Sequence, residues 1–183
     1  MTNPPRRLAH SAVLLALACP SACSHTAPAA YPIHGLDAEV RDGIARIRAA
    51  TAGFTSLDSA VAAGYQRDQT RCLASAGEGT MGFHHRNSAY VDGQLDIEKP
   101  EILLYERLPG GRYVLNGVEY VVPYSGWPAD SVPPVLLGQQ LRSYPNLRIW
   151  SIHVWIWKRN PAGLFAPWNP AAHCLETPAM TAH

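Results

Sequence analysis

Three side chains far apart along the chain are of kinds that bind transition metals: His84, Glu119 and His153. Two imidazoles and a carboxylate with one coordination position left open suit a catalytic zinc ion, and a related facial arrangement suits non-haem iron. His85 and Glu101 stand as additional candidates. The set matches no helix-borne His-Glu-x-x-His, so spacing alone names neither a metal nor a reaction. Without a metal, the same residues read as a general base, His153 oriented by Glu119. The plainest reading is a hydrogen-bonded core histidine, Glu119 paired with an arginine such as Arg86, and an exposed His85. Ser151 shares alternation with His153 but lacks the Gly-x-Ser-x-Gly elbow of a nucleophile.

The element that must position His153 is the run 147–158, Leu-Arg-Ile-Trp-Ser-Ile-His-Val-Trp-Ile-Trp-Lys. It is aromatic and β-branched and is bounded by Tyr-Pro-Asn and Arg-Asn-Pro, which predicts a long central strand. Alternation places Leu147, Ile149, Ser151, His153, Trp155 and Trp157 on one face. Trp155 and Trp157, with Glu101, are therefore the expected lining of a ligand pocket. Residues 101–106 and 113–124 read as two strands joined by Leu108-Pro109-Gly110-Gly111 in a hairpin. Leu115, Gly117, Glu119 and Val121 fall on one face of the second, where a carboxylate needs a partner. In Met81-Gly82-Phe83-His84-His85 an extended backbone sends the two imidazoles to opposite faces. Residues 74–80 read as a flexible link. The stretch 123–145 is a long proline-rich loop, with a turn of helix over 135–141, lying over one face of the sheet.

Ahead of these, Leu36, Val40, Ile44 and Ile47 form one stripe of an amphipathic helix over 37–51. A second short helix is predicted over 56–63, with Thr55 as N-cap and Gly64 just past its end. The expected fold is thus α+β: two N-terminal helices packed on an antiparallel sheet, in a single globular domain over 31–183.

The chain has 183 residues, 47% hydrophobic and 16% charged, with a formal charge of +1. That composition can build a core, and it shows no basic stripe, so nucleic acid is not an expected partner. Residues 1–30 carry Arg6 and Arg7 ahead of a short apolar run, 12–18, and then small residues. That is the pattern of a bacterial export signal, and the apolar run is too short to span a bilayer. Cys19 or Cys23 could carry a lipid anchor, the one expected link to a membrane, although both lipoboxes are imperfect. The expected location is the periplasm or cell envelope, or the medium. The remaining cysteines, Cys72 and Cys174, then read as a disulfide closing a loop of about 100 residues. The rival reading is a free nucleophile or metal thiolate.

Several motifs occur in order: Met81-Gly82-Phe83-His84, Pro100-Glu101-Ile102-Leu103-Leu104-Tyr105, Gly117-Val118-Glu119-Tyr120, His153-Val154-Trp155-Ile156-Trp157, and an Asn-Pro-x-Gly-x-Phe-Ala-x-Trp-Asn-Pro run over 160–170. Together they resemble a widespread family of exported bacterial proteins of uncharacterised activity, over roughly residues 37–174. The resemblance implies a family and a compartment, not a reaction. In that family the Met-Gly-x-His motif carries one histidine, usually followed by an aromatic residue. His84 takes the histidine position and His85 the aromatic one. The functional expectation is an exported protein binding a divalent metal, zinc or copper, through His84, Glu119 and His153. The alternatives are a non-enzymatic envelope protein holding a small apolar or aromatic ligand, and a structural lipoprotein whose polar core groups only fix the fold.

Overall fold

The computed structural model describes residues 35–68 and 71–175. The expected export signal over residues 1–30, with Cys19 and Cys23, lies outside the described residues. The fold is α+β and mostly sheet. After α1 (Ala38–Thr51), a 3-10 turn (Ala52–Thr55) and α2 (Leu57–Ala62), the strands are β1 (Gln66–Arg67), β2 (Leu73–Ser75), β3 (Gly79–Arg86), β4 (Ile102–Arg107), β5 (Tyr113–Pro123), β6 (Val135–Leu136), β7 (Gln139–Gln140), β8 (Arg142–Tyr144) and β9 (Ile149–Val154). The main sheet runs β1-β3-β4-β5-β9-β8, with β2 also on β3, and β6 and β7 form a separate hairpin. Every pairing between these strands is antiparallel.

The two faces of the sheet are covered differently. Leu103, Tyr105, Val118, Tyr120, Trp150, Ile152 and Val154 share a core with Ile44 and Ile47 of α1 and Ala60 of α2. On the opposite face Ile102, Leu104, Val121 and Trp155 make a smaller apolar cluster, with Ile149 packed against it. Alternation puts His84, Glu119, Ser151 and His153 on this second face. β5 and β9 are buried almost throughout because each central strand has a core on both sides.

Several local expectations are corrected. α2 is capped by Ser56, whose hydroxyl accepts from the Ser59 N–H, while Thr55 closes the 3-10 turn by donating to the Ala52 carbonyl. Residues 74–80 are not a flexible link but the turn and flanks of the β2–β3 hairpin. Residues 135–141 form the β6–β7 hairpin rather than a helical turn. Its two turn residues, Leu137 and Gly138, both have positive φ, the backbone of a tight hairpin turn. On β5, Leu104 faces Gly117 but Tyr105 faces Leu115, so Asn116 is an extra, bulged residue. The bulge moves Leu115 off the Glu119 face and into the helix-side core.

The predicted strand 147–158 is shorter, because β9 ends at Val154. The Ile156 N–H turns back to the Val154 carbonyl, and the Trp157 and Lys158 N–H groups both donate to the Asn116 carbonyl. That turn carries Trp157 to the helix side, where its indole N–H donates to Thr51 Oγ1 on α1 at 3.0 Å. Arg48 of α1 holds the same segment by donating to the Ile156 carbonyl.

The segment after β9 folds back over the second face. Asn160 and Asn169, each followed by proline, are buried, and each side-chain oxygen accepts an N–H two residues on. The two turns aim the Leu164 carbonyl at the Trp155 N–H and the Ala166 carbonyl at its indole N–H. Farther on, Asn169 pairs with Thr80 of β3, and a disulfide joins Cys72 to Cys174. The tail thereby fixes Trp155, and Trp155 lies parallel to His153 at 6.2 Å between ring centroids. Among the described residues no helix is long and apolar enough to cross a membrane.

Candidate metal centre

Register alone brings two of the three candidate ligands together. Glu119 on β5 and His153 on β9 are direct cross-strand partners, with Ile102 of β4 on the other side of Glu119. His84 on β3 faces Leu104, which faces Gly117. It is therefore two strands away and one row along, and its ring has to cross β4 to reach the carboxylate. Two glycines make this feasible. Gly82, at φ +88, carries β3 past the extra residue Met81 and close to the Tyr105 carbonyl, where a Cβ would sit at 2.4 Å. Gly117 leaves its own row open, and a Cβ there would lie 2.7 Å from the Val154 carbonyl and 3.4 Å from the Trp155 ring.

Both imidazoles converge on one oxygen. His84 Nε2 lies 3.3 Å and His153 Nε2 3.7 Å from Glu119 Oε2. The other carboxylate oxygen, Oε1, accepts the Ser151 hydroxyl. The imidazole rings are 6.3 Å apart and perpendicular. Exposure is 4% at His84, 6% at Glu119 and 3% at His153. His153 Nε2 is buried with no hydrogen-bond partner among the described residues, although it faces the carboxylate; His84 Nδ1 is likewise without one. The three residues offer one ligand atom each, all within 4.8 Å of one another, and so can hold a metal ion. Ligands about 2.0–2.2 Å from a tetrahedral ion stand ~3.3–3.6 Å apart, so the two nitrogen–oxygen separations require little adjustment.

The electrostatics favour the ligating forms. Burial opposes ionisation of Glu119, but His153, the His84 hydrogen bond and the Ser151 hydroxyl outweigh it and hold the carboxyl at about 2. Burial draws the His153 imidazole below its usual range, against the opposing pull of Glu119. A carboxylate facing a neutral imidazole is what a metal needs from this pair.

The remaining candidates lie elsewhere. His85 points to the opposite face, as alternation requires, but it is buried rather than exposed, with its ring edge-on to Tyr105 at 5.0 Å and near Tyr113. Arg86 pairs with Asp68 at 3.0 Å and not with Glu119. Glu101 is buried just before β4, accepts the Val121 N–H, and is pushed up to about 8 chiefly by burial. It lines a separate cavity of about 210 Å³ with Tyr90, Asp92 and Lys99. Trp155 is fully buried as a wall against His153, and Trp157 is on the far side of the sheet. The expected pocket of Trp155, Trp157 and Glu101 is therefore not assembled.

Sequence reasoning missed Gln140, Arg142, Tyr144 and Phe165, which border a cavity beside Ser151 and His153. The alternation of Arg142 and Tyr144 just before the Pro145-Asn146 turn was the available signal, too short to read alone. No family model, curated protein or solved structure matches this chain.

His85 has a consequence for stability. Burial lowers it to about 4, so the folded state keeps it neutral where the unfolded chain takes up a proton. The unfolded state then binds more protons between about pH 6.5 and pH 4, and this contribution to stability is lost as pH falls through that window. Glu101, raised rather than lowered, acts in the opposite sense between its ordinary range and about 8. A His85→Phe variant keeps a flat ring against Tyr105 without the titrating nitrogens. Its unfolding free energy, minus that of the wild type, is expected to grow steadily from pH 7 to pH 4 in urea titrations. A pH-independent difference would show that His85 does not titrate in that window.

Proposed function

We propose that this chain is an exported metal-binding protein whose His84–Glu119–His153 centre carries one divalent ion, zinc or copper. The observation that carries this reading is His153 Nε2, buried and without a hydrogen-bond partner, aimed at the carboxylate oxygen that His84 Nε2 also approaches. A buried imidazole nitrogen left in this way costs stability unless something occupies the space between it and the carboxylate. Two imidazole nitrogens and one carboxylate oxygen suit zinc, and imidazole donors suit copper as well. Three protein ligands leave a position open, the arrangement of a hydrolytic site or of a carrier that exchanges its ion. Ser151 holds the carboxylate so that one oxygen faces the two imidazoles, and Trp155 holds the His153 ring.

Export is supported by the sequence of the first thirty residues, by the Cys72–Cys174 bridge, which suits an oxidising compartment, and by the family resemblance. The reading as a holder of an apolar ligand between tryptophans has less support, because Trp155 and Trp157 are on different sides of the sheet.

Elemental analysis of the full chain purified from the cell envelope tests the proposal. Close to one equivalent of zinc or copper is expected, falling to background in His153→Ala and in Glu119→Gln. A metal-free wild type that also takes up no added zinc or copper after refolding would reject it in favour of a purely structural cluster.

A further inference from the structure

The cavity beside His153 has a volume of about 170 Å³. A dry engineered cavity of ~150 Å³ admits benzene, so the space suits a molecule of that order. Its polar groups include Gln140, Arg142, Tyr144, Ser151 and His153, and Phe165 supplies an apolar wall. The lining contains one cation and no carboxylate. Register explains the position of the cation: Arg142 of β8 is the direct partner of Ser151, and cross-strand partners share a face. Arg142 thus stands on the face of the centre, beside the serine that orients Glu119. None of the ion pairs among the described residues uses it, and its side-chain partner in the lining is the neutral Tyr144 hydroxyl.

We infer that this cavity is the ligand-binding half of the centre and takes a small organic carboxylate, its charge against Arg142 and its apolar part against Phe165. The inference rests on the metal reading. A divalent ion and the Glu119 carboxylate together leave one positive charge, and Arg142 adds a second, so an anion is favoured over a neutral or cationic ligand. A single guanidinium fork matches a carboxylate in two parallel hydrogen bonds. Inorganic phosphate would use the same charge but gains nothing from the Phe165 wall.

The test uses the full chain loaded with cobalt(II), whose visible spectrum reports its coordination, titrated with benzoate and in parallel with phosphate. Benzoate is expected to change the spectrum saturably and at lower concentration than phosphate. Arg142→Gln, an exposed position on an edge strand, is expected to take up cobalt as the wild type does but to need ~10- to 100-fold more benzoate, the loss of a charge-assisted hydrogen-bond pair. Cobalt uptake followed by a silent benzoate titration overturns this inference and leaves the metal reading standing. So does an equal benzoate response in Arg142→Gln, or tighter binding of phosphate. Failure to take up zinc and copper as well as cobalt overturns the metal reading, and this inference with it.

Discussion

Replacing Cys72 and Cys174 together by alanine is expected to lower the unfolding free energy by about 4–5 kcal/mol, which for a fold of this size is a drop of ~15 °C in Tm. The bridge spans 102 positions, so its loss returns a large loop entropy to the unfolded chain while removing few native contacts. The effect reaches the centre as well. Cys174 ends the tail that pairs with Thr80 and supplies the Leu164 and Ala166 carbonyls to Trp155, and Trp155 is the wall behind His153. The double variant is therefore expected to bind metal more weakly besides melting lower. Calorimetry of the oxidised wild type, the reduced wild type and the double variant checks this. The last two should coincide well below the first, and a reduced protein that melts with the oxidised one would show that the bridge contributes nothing.

What the sequence reveals here depends on how local each signal is. The β4–β5 hairpin is coded by Leu-Pro-Gly-Gly between two apolar runs, and the α1 stripe by four apolar residues at helical spacing. Alternation groups Glu119 with one face of β5 and His153 with one face of β9, and antiparallel register then joins the two faces, while the pairing of the two cysteines among the described residues needs no geometry. The failures have non-local causes. Nothing in Trp-Ile-Trp-Lys says that the strand stops at Val154. The stop comes from the Asn116 carbonyl taking two N–H groups from the far side, and Asn116 is free to do so because β5 bulges there. One bulge thus removed both Leu115 and Trp157 from the face where simple alternation puts them. His85 looks like a surface residue until Tyr105 and Tyr113 close over it from other strands. The cavity walls on β8 and in the 165–167 turn meet only after the tail has folded back.

Zinc added to metal-stripped wild type is expected to raise the unfolding free energy by about 4 kcal/mol when free metal is a thousandfold above its Kd, or ~12 °C in Tm. Glu119 is the residue on which this turns. It is the only ligand with a charge to neutralise the ion, and both imidazole nitrogens approach the same oxygen of its carboxylate. Glu119→Gln keeps the shape and an acceptor for the Ser151 hydroxyl but removes that charge. Its zinc-induced shift is expected to vanish, whereas Ser151→Ala is expected to keep the full shift at saturating metal with an affinity only ~10- to 100-fold weaker. The acid limb adds a sign that a structural cluster shares. With the Glu119 carboxyl held at about 2, its contribution to the metal-free fold is present above its ordinary range and lost as pH falls towards that value. Metal-free Glu119→Gln should therefore melt below metal-free wild type at neutral pH and converge with it in acid. Only the zinc arm separates the two readings. A wild type that zinc does not stabilise, beside a Glu119→Gln that still melts low, would mean that the two histidines and the carboxylate hold the sheet together and nothing more. Stabilisation by zinc that disappears with one carboxylate charge would mean that Glu119 is a ligand, and that the second face of the sheet is folded around an ion.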